Sequence, residues 1–153
     1  MRVTDFLTLE AVVPALVGRT KQEIIAELAQ TVARTEPLLT PARILEVLQA
    51  REKVGSTGME KGVAIPHGRL AGLSELTACF GVSREGVDFE ARDGKPSHFF
   101  FVLVAPENSA GIHLKALSRV SRLFRSEELR DGILSAATAS DIYALIARED
   151  GAA

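Results

Sequence analysis

The chain has only one cysteine, Cys79, among its 153 residues. One cysteine cannot close a disulfide within the chain, and it cannot supply the thiolates of a zinc site built from several cysteines. An excess of charge of one sign is also lacking, because 18 Lys and Arg residues face 20 Asp and Glu residues. General nucleic-acid binders usually carry a basic excess, so the composition argues against a nucleic-acid partner.

Long apolar runs are missing as well. The longest, residues 99–105, is far shorter than the roughly 20 residues that a membrane-spanning helix needs. At the N-terminus, Thr4 and Asp5 interrupt the sequence before the apolar core of a signal peptide could form. We therefore expect no membrane insertion and a cytoplasmic location.

Length and composition indicate one globular domain. An apolar fraction of 46% and a charged fraction of 25% are ordinary for a folded chain of this size. We expect this domain to span residues 1–148, and we expect residues 149–153 to form a frayed tail.

Helical and strand patterns follow one another along the chain. Apolar spacing and capping residues predict five helices, at residues 20–35, 40–51, 110–125, 126–134 and 140–148. Short apolar runs predict strands at residues 63–65, 76–83, 87–90 and 99–104. The last of these strands is apolar on both faces, as a central strand covered on both sides should be. The pattern favours an α/β fold in which a small sheet is sandwiched between helices.

Several well-known catalytic motifs are absent. The loop from Gly55 to Gly62 holds three glycines, but their spacing does not match the nucleotide-binding P-loop. The sequence has neither the G-x-S-x-G elbow of an α/β-hydrolase nor the H-E-x-x-H of a zincin. Its three histidines lack any recognised metal-ligand spacing, so we expect no metal site and no other cofactor.

His67 is the residue whose surroundings suggest chemistry most directly. It follows Pro66 at the end of a predicted strand and precedes Gly68, which leaves room beside the ring. Ligands of open α/β sheets collect where strands end, so a fixed and approachable imidazole fits a functional site here. A turn histidine without a function fits the spacing equally well.

Three further candidates have a functional and a structural interpretation each. His113 lies in the first turn of the third predicted helix, on the same face as Leu117. This pattern favours a core histidine, with anion binding at the helix N-terminus as the alternative. Arg51 ends the second helix and Arg69 follows His67 by two residues; either could bind a phosphate in a bidentate fork. For Arg51, favourable placement at a helix C-terminus explains the position as well.

One long segment resembles a known signature. Residues 51–68 resemble the phosphorylation site of the fructose/mannitol-type enzyme IIA family of the bacterial phosphoenolpyruvate-dependent phosphotransferase system. The sequences Gly-Ser-Thr-Gly at residues 55–58 and Pro-His-Gly-Arg at residues 66–69 are similar to the nitrogen-regulatory branch in particular. Residues 111–117 resemble the family's second histidine segment, and Lys-Pro at residues 95–96 also fits.

The resemblance implies roles for the candidate residues. His67 would accept a phosphoryl group from a histidine phosphocarrier protein, His113 would contact the phosphorylated ring or its phosphoryl group, and Arg51 would bind phosphate oxygens. Ser56 and Thr57 would donate hydrogen bonds nearby, which is a weaker assignment, as is phosphate binding by Arg69. The resemblance also implies a mixed sheet flanked by helices, and a phosphorylation state that regulates partner proteins.

Two alternatives stay open beside this phosphocarrier hypothesis. A stand-alone fructose- or mannitol-type IIA protein would pass its phosphate to a IIB domain, and a non-phosphorylated binding module would use His67 only structurally. Glu60 departs from the family pattern, which has a small residue there, and its charge would repel a phosphoryl group unless it points away or pairs with Lys61. The phosphocarrier could belong to the nitrogen branch or be the general one, the regulated targets are not specified, and a weak dimer is possible.

Overall fold

A mixed five-stranded sheet forms the centre of the computed structural model, which describes residues 1–152. Its strands are β1 (Val12–Val13), β2 (Val63–Ala64), β3 (His67–Leu70), β4 (Thr77–Val87) and β5 (Ser97–Pro106). Its α-helices are α1 (Lys21–Thr35), α2 (Pro41–Val54), α3 (Ala110–Leu123), α4 (Glu127–Ser135) and α5 (Ala139–Ala152). Two short 3-10 helices, Val3–Asp5 and Leu9–Ala11, precede β1. The predicted α/β class with a small mixed sheet between helices is confirmed.

Strand β5 is the central strand of the sheet. It pairs antiparallel with β4 on one side and parallel with β2 and then β3 on the other, while β1 adds to β4 in parallel. Every residue from Phe99 to Ala105 is buried, which explains why this segment is apolar on both faces. Strand β5 therefore contributes a large part of the hydrophobic core. Its second half, residues 103–106, pairs with β3, which begins at His67.

The two helices before the glycine loop begin where their capping residues predict. The Thr20 hydroxyl accepts a hydrogen bond from the backbone N–H of Glu23 at 3.2 Å, and the Thr40 hydroxyl accepts one from Arg43 at 3.2 Å. Pro41 occupies the first turn of α2, where its missing N–H costs no helical hydrogen bond. Because the first residue of α2 is fixed by this cap, Arg51 lies in the last turn of the helix.

The edge strand predicted at residues 87–90 is wrong. Strand β4 ends at Val87, and the chain then turns through Asp88, whose carboxylate accepts a hydrogen bond from the backbone N–H of Glu90 at 3.0 Å. Glu90 adopts a φ of 54°. Phe89 is buried by this turn, so the alternation of polar and apolar residues marks a turn that anchors one aromatic ring.

The predicted frayed tail is wrong for residues 149–152. Helix α5 continues to Ala152, and the side chain of Asp150 is only 3% exposed. Its carboxylate accepts hydrogen bonds from the backbone N–H of Val3 at 2.7 Å and from Arg119 Nε at 2.7 Å. Asp150 thus holds the end of α5 to both the N-terminus and α3. The spacing of apolar residues does not predict these polar contacts. Ala153 lies outside the described residues.

No α-helix within residues 1–152 combines the length and the apolar character needed to cross a bilayer.

Gly68 is required by the close approach of α2 to β3. A Cβ atom at this position would lie 2.4 Å from Val47 Cγ1, and a β-branched side chain has little rotamer freedom with which to move away. We expect Gly68→Ala to lower the free energy of unfolding by about 1–3 kcal/mol through this overlap. Urea denaturation of Gly68→Ala, Val47→Ala and the double variant measures the effect; costs that simply add would contradict it, because Val47→Ala should relieve the overlap.

Candidate functional site

His67 is held in one tautomer by the chain just before it. Its Nδ1 lies 2.7 Å from the backbone oxygen of Ile65. A carbonyl oxygen can only accept, so Nδ1 carries the proton and donates it to Ile65. The second nitrogen, Nε2, accepts a hydrogen bond from Arg51 Nε at 3.3 Å. The half-buried ring therefore presents the lone pair of Nε2 towards a cationic side chain.

Arg51 is placed by the end of helix α2 and the loop that follows. Its Nη1 donates to the backbone oxygen of Gly55 at 2.9 Å, which fixes the guanidinium while Nε points at His67. Within residues 1–152 Arg51 has no carboxylate partner at ion-pair distance. Its positive charge is therefore available to an anion that approaches Nε2.

His113 is buried but faces the candidate site. Its ring centroid lies 5.3 Å from that of His67 at an interplanar angle of 74°, so the two imidazoles meet edge to face. Its Nε2 is buried and has no hydrogen-bond partner within the described chain. The core interpretation of this residue is thus incomplete, because a core histidine would satisfy its ring with the surrounding protein.

Both imidazoles favour the neutral form. Burial lowers the pKa of His67, and the positive charge of Arg51 lowers it further, although the hydrogen bond to Ile65 acts in the opposite direction. Burial lowers the pKa of His113 to about 4, with smaller contributions from His67 in its protonated form and from the charge of Arg69. A neutral His67 has the free lone pair that a nucleophile needs.

The pKa of His113 predicts a loss of stability in mild acid. Its ordinary value is 6.5, so between pH 6.5 and pH 4 the unfolded chain binds the proton that the folded chain excludes. The free energy of unfolding should therefore decrease as the pH falls from 6.5 towards 4. Urea denaturation between pH 5 and pH 7.5 tests this, with His113→Gln as the control that cannot titrate. An equal slope in wild type and His113→Gln would contradict the assignment.

A buried ion pair organises the glycine loop, and sequence reasoning missed it. Lys21 Nζ lies 2.9 Å from Glu52 Oε1, and the two side chains are 10% and 7% exposed. Glu52 also accepts hydrogen bonds from the backbone N–H of Thr57, at 3.1 Å, and from the Thr57 hydroxyl. Helix α1, the end of α2 and the loop therefore meet at one carboxylate. The capping pattern around Lys21 gives no sign of this contact, which spans 31 residues.

The hydroxyls of Ser56 and Thr57 form hydrogen bonds that hold the glycine loop in place. Ser56 Oγ donates to the backbone oxygen of Phe89 at 2.7 Å and accepts from the N–H of Gly58 at 3.0 Å. Thr57 donates its hydroxyl proton to Glu52. Both residues border the same cleft as His67, but these contacts give each hydroxyl proton an acceptor within the protein.

Removal of Glu52 should weaken both the fold and the loop. Glu52→Ala leaves Lys21 without its buried partner and frees the N–H of Thr57, so we expect a loss of about 1–3 kcal/mol in the free energy of unfolding. Glu90→Ala is the matched control, because Glu90 also contacts Lys21 Nζ, at 3.1 Å, but is 72% exposed. We expect it to cost less than about 1 kcal/mol. If urea denaturation shows the same loss of unfolding free energy for both variants, the buried pair stabilises the protein no more than the exposed one.

Arg69 and Glu60 occupy the margins of the site. Arg69 is exposed on β3 and borders a cleft of about 890 Å³ that also contains His67 and His113. Glu60 lies 3.8 Å from Arg92 Nη1, and both side chains are largely exposed. Glu60 therefore contacts Arg92 and not Lys61, the partner suggested by the sequence. Its carboxylate does not border either of the two clefts at His67.

The ring of His67 borders two clefts. One, of about 890 Å³, contains His113 and Arg69 and is called the histidine cleft below. The other, of about 460 Å³, contains Arg92, Arg122 and Arg125 and is called the arginine cleft. In the described part of the chain, no three His, Cys, Asp or Glu side chains lie close enough together to hold a metal ion. The arrangement instead combines one unprotonated imidazole nitrogen with a fixed guanidinium, that of Arg51, and further arginines at the margins, which suits the chemistry of a phosphoryl group.

Comparisons with known proteins point in one direction. A family model described as "Phosphoenolpyruvate-dependent sugar phosphotransferase system, EIIA 2" matches residues 5–149. The chain is 38% identical over 147 residues to the nitrogen regulatory protein of Bradyrhizobium diazoefficiens, which covers 96% of this chain and 95% of that protein. It is 33% identical over 150 residues to the fructose-specific EIIABC component of Bacillus subtilis, covering 98% of this chain but only 24% of the relative. The solved structure of nitrogen regulatory protein IIA-Ntr from Neisseria meningitidis matches with a TM-score of 0.88 and 37% identity, over 94% of this chain and 98% of that chain.

Proposed function

Because the chain belongs to the EIIA 2 family of the phosphoenolpyruvate-dependent sugar phosphotransferase system, we propose that it carries a phosphoryl group on His67. The donor is a histidine phosphocarrier protein, and the phosphorylation state of His67 regulates partner proteins in the cytoplasm. The observation that carries this proposal is the tautomer of His67. Ile65 holds the proton on Nδ1, and the lone pair of Nε2 faces Arg51.

The transfer requires one bond to form as another breaks. The hydrogen bond of the Arg51 Nε–H first moves from His67 Nε2 to an oxygen of the incoming phosphoryl group. The freed Nε2 lone pair then attacks phosphorus in line, while the nitrogen of the donor's histidine leaves with the electron pair of its bond to phosphorus. Positive charge develops on the ring of His67 as its new bond forms. The proton on Nδ1 stays in place, and its hydrogen bond to Ile65 stabilises that charge.

Arg51 and His113 act on the phosphoryl group. In the transition state its oxygens carry the negative charge, which a fixed guanidinium beside Nε2 stabilises. His113 lies edge to face with His67, and the absence of any partner for its buried Nε2 within the described chain makes that nitrogen a further group for the phosphoryl oxygens. We assign Ser56 and Thr57 to the shape of the loop, because their protons have other acceptors.

The surface around His67 is suited to protein partners. Ile112 and Leu114, in the first turns of α3, are 51% and 65% exposed. A phosphoryl group on His67 would add about −1.5 to −2 charges beside this apolar surface, so the affinity of a partner that covers it should depend on phosphorylation.

The nitrogen-regulatory output is our first hypothesis because the chain is 38% identical to a nitrogen regulatory protein over nearly the full length of both. Transfer to a sugar-specific IIB domain is the second, favoured by the 33% identity to part of a fructose-specific EIIABC component. A binding module without phosphorylation is the least favoured hypothesis. Binding alone does not require that His67 keep its proton on Nδ1 and direct Nε2 towards Arg51.

Phosphorylation of the purified protein tests the proposal. The protein is incubated with phosphoenolpyruvate, enzyme I and either the general or the nitrogen-branch phosphocarrier, and its intact mass is recorded before and after acid treatment. We expect a single phosphoryl adduct that acid removes. Addition of a fructose-type IIB domain then separates the two outputs, since only the sugar pathway loses the adduct to IIB. No adduct with either carrier would overturn the proposed function.

A further inference from the structure

Three of the four arginines that border the arginine cleft have no part in the reaction proposed at His67. Four arginine side chains border this cleft, and no Asp or Glu side chain does: Arg51, Arg92, Arg122 and Arg125. The chain as a whole has a formal net charge of −2, so this concentration of positive charge is not a general property of the surface. An anion that enters such a concave place interacts with several positive charges at once.

Two of these arginines are not engaged by the protein. The guanidinium groups of Arg122 and Arg125 form neither a hydrogen bond nor an ion pair with any side chain or backbone group of residues 1–152. The hydroxyls of Ser118 and Ser121 border the same cleft and also lack a partner in this part of the chain. These groups together supply several donors for oxygen atoms. One carboxylate is close: Glu60 lies 3.8 Å from Arg92 Nη1 and borders a hollow that adjoins the arginine cleft.

The arginine cleft shares His67 and Arg51 with the phosphoryl site but not His113. His113 borders the histidine cleft and does not border the arginine cleft. Arg92, Ser121 and Arg125 also border the adjoining hollow, which has a volume of about 400 Å³ and which His67 does not reach. The arginine cleft therefore begins at His67 and Arg51 and continues, through Arg92 and Arg125, into this hollow.

The composition of the cleft defines what it can hold. Guanidinium groups bind phosphate through paired hydrogen bonds, and hydroxyls add single donors. Met59 and Leu117 contribute an apolar part of the wall, suited to a carbon skeleton. A volume of about 460 Å³ admits a small molecule. We propose that Arg92, Arg122 and Arg125 form a binding site for a small organic phosphate next to the phosphohistidine site, with which it shares the arginine cleft.

Titration of the unphosphorylated protein tests this site without any transfer reaction. Glucose 6-phosphate is the probe, and calorimetry together with amide chemical shifts at low salt follows its binding. We expect shifts at residues 118–125 and 91–93, and we expect Arg122→Ala/Arg125→Ala to weaken binding about tenfold or more. His67→Ala removes the phosphoryl acceptor but leaves Arg92, Arg122 and Arg125 in place, so it should weaken binding less than Arg122→Ala/Arg125→Ala does, which separates this proposal from the proposed function.

Arg148→Ala is the matched control, because Arg148 is an exposed arginine on α5, which packs at the β1 edge of the sheet. Its removal should leave the affinity unchanged. An equal loss in Arg148→Ala would indicate a general charge effect and overturn the proposal. Absence of binding to wild type, or binding that is lost in His67→Ala and retained in Arg122→Ala/Arg125→Ala, would overturn it as well.

Discussion

Replacement of His67 by alanine is expected to abolish the phosphoryl adduct completely. Acceptance of a phosphoryl group requires a nucleophilic nitrogen, and the Nε2 of His67 is the one that the fold holds deprotonated beside a cation. The variant should remain folded, because the ring is only half-buried and its two hydrogen bonds lie at the edge of the sheet. The measurement is intact mass after incubation with phosphoenolpyruvate, enzyme I and the phosphocarrier that labels the wild type.

The other two histidines provide the matched controls for this experiment. His98 donates through Nδ1 to the backbone oxygen of Ser83 at 2.9 Å and does not border either cleft, so His98→Gln should be labelled as the wild type is. His113→Gln should be labelled more slowly, because the group beside the phosphoryl oxygens is changed while the nucleophile remains. An adduct of full yield on His67→Ala would show that another residue accepts the phosphate.

Replacement of Arg51 by alanine is expected to slow transfer about 100- to 1000-fold, the range found when one fixed group that stabilises transition-state charge is removed. Arg51 Nε contacts His67, and in the proposed mechanism the guanidinium charge also stabilises the incoming phosphoryl oxygens. The loss should appear in the rate of a single transfer event at saturating donor. Stability should change little, because the side chain lies at the surface end of α2.

Arg51→Lys distinguishes charge from geometry. Lysine restores the positive charge but cannot contact His67 Nε2 and Gly55 at the same time through a planar fork. We therefore expect a rate between those of wild type and Arg51→Ala. A rate within a few-fold of wild type for Arg51→Ala would contradict the role given to this residue.

Local signals in the sequence predicted much of the fold. Thr20, Thr40 and Pro41 are residues whose own side chains fix a helix start, so a single sequence suffices to read them. The apolar run of residues 99–104 predicted the central strand for the same reason, since burial on both faces leaves no polar alternation. Strand β3 was missed because His67, Gly68 and Arg69 have no strand pattern; their pairing with β5 uses backbone groups.

The candidate site was predicted from two separate segments, residues 51–68 and 111–117, and the structure places the ring centroids of His67 and His113 5.3 Å apart. Arg51 and His67 both lie in the first of these segments, and in the structure Arg51 Nε lies 3.3 Å from His67 Nε2. The roles of these residues in phosphoryl transfer stay predictions. Lys21, which reaches Glu52 across the sequence, belongs to a contact that no periodicity encodes. The tautomer of His67 also required coordinates, because it depends on the direction of one carbonyl group in the preceding strand connection.

The position of phosphorus on the ring of His67 tests the account most directly. Protein labelled with ¹⁵N at histidine is phosphorylated through the carrier, and the ring nitrogen coupled to ³¹P is identified by NMR. Because Ile65 keeps the proton on Nδ1, the account predicts coupling to Nε2 of His67 and a retained proton on Nδ1. Phosphorus on Nδ1, or on any other residue, would contradict it.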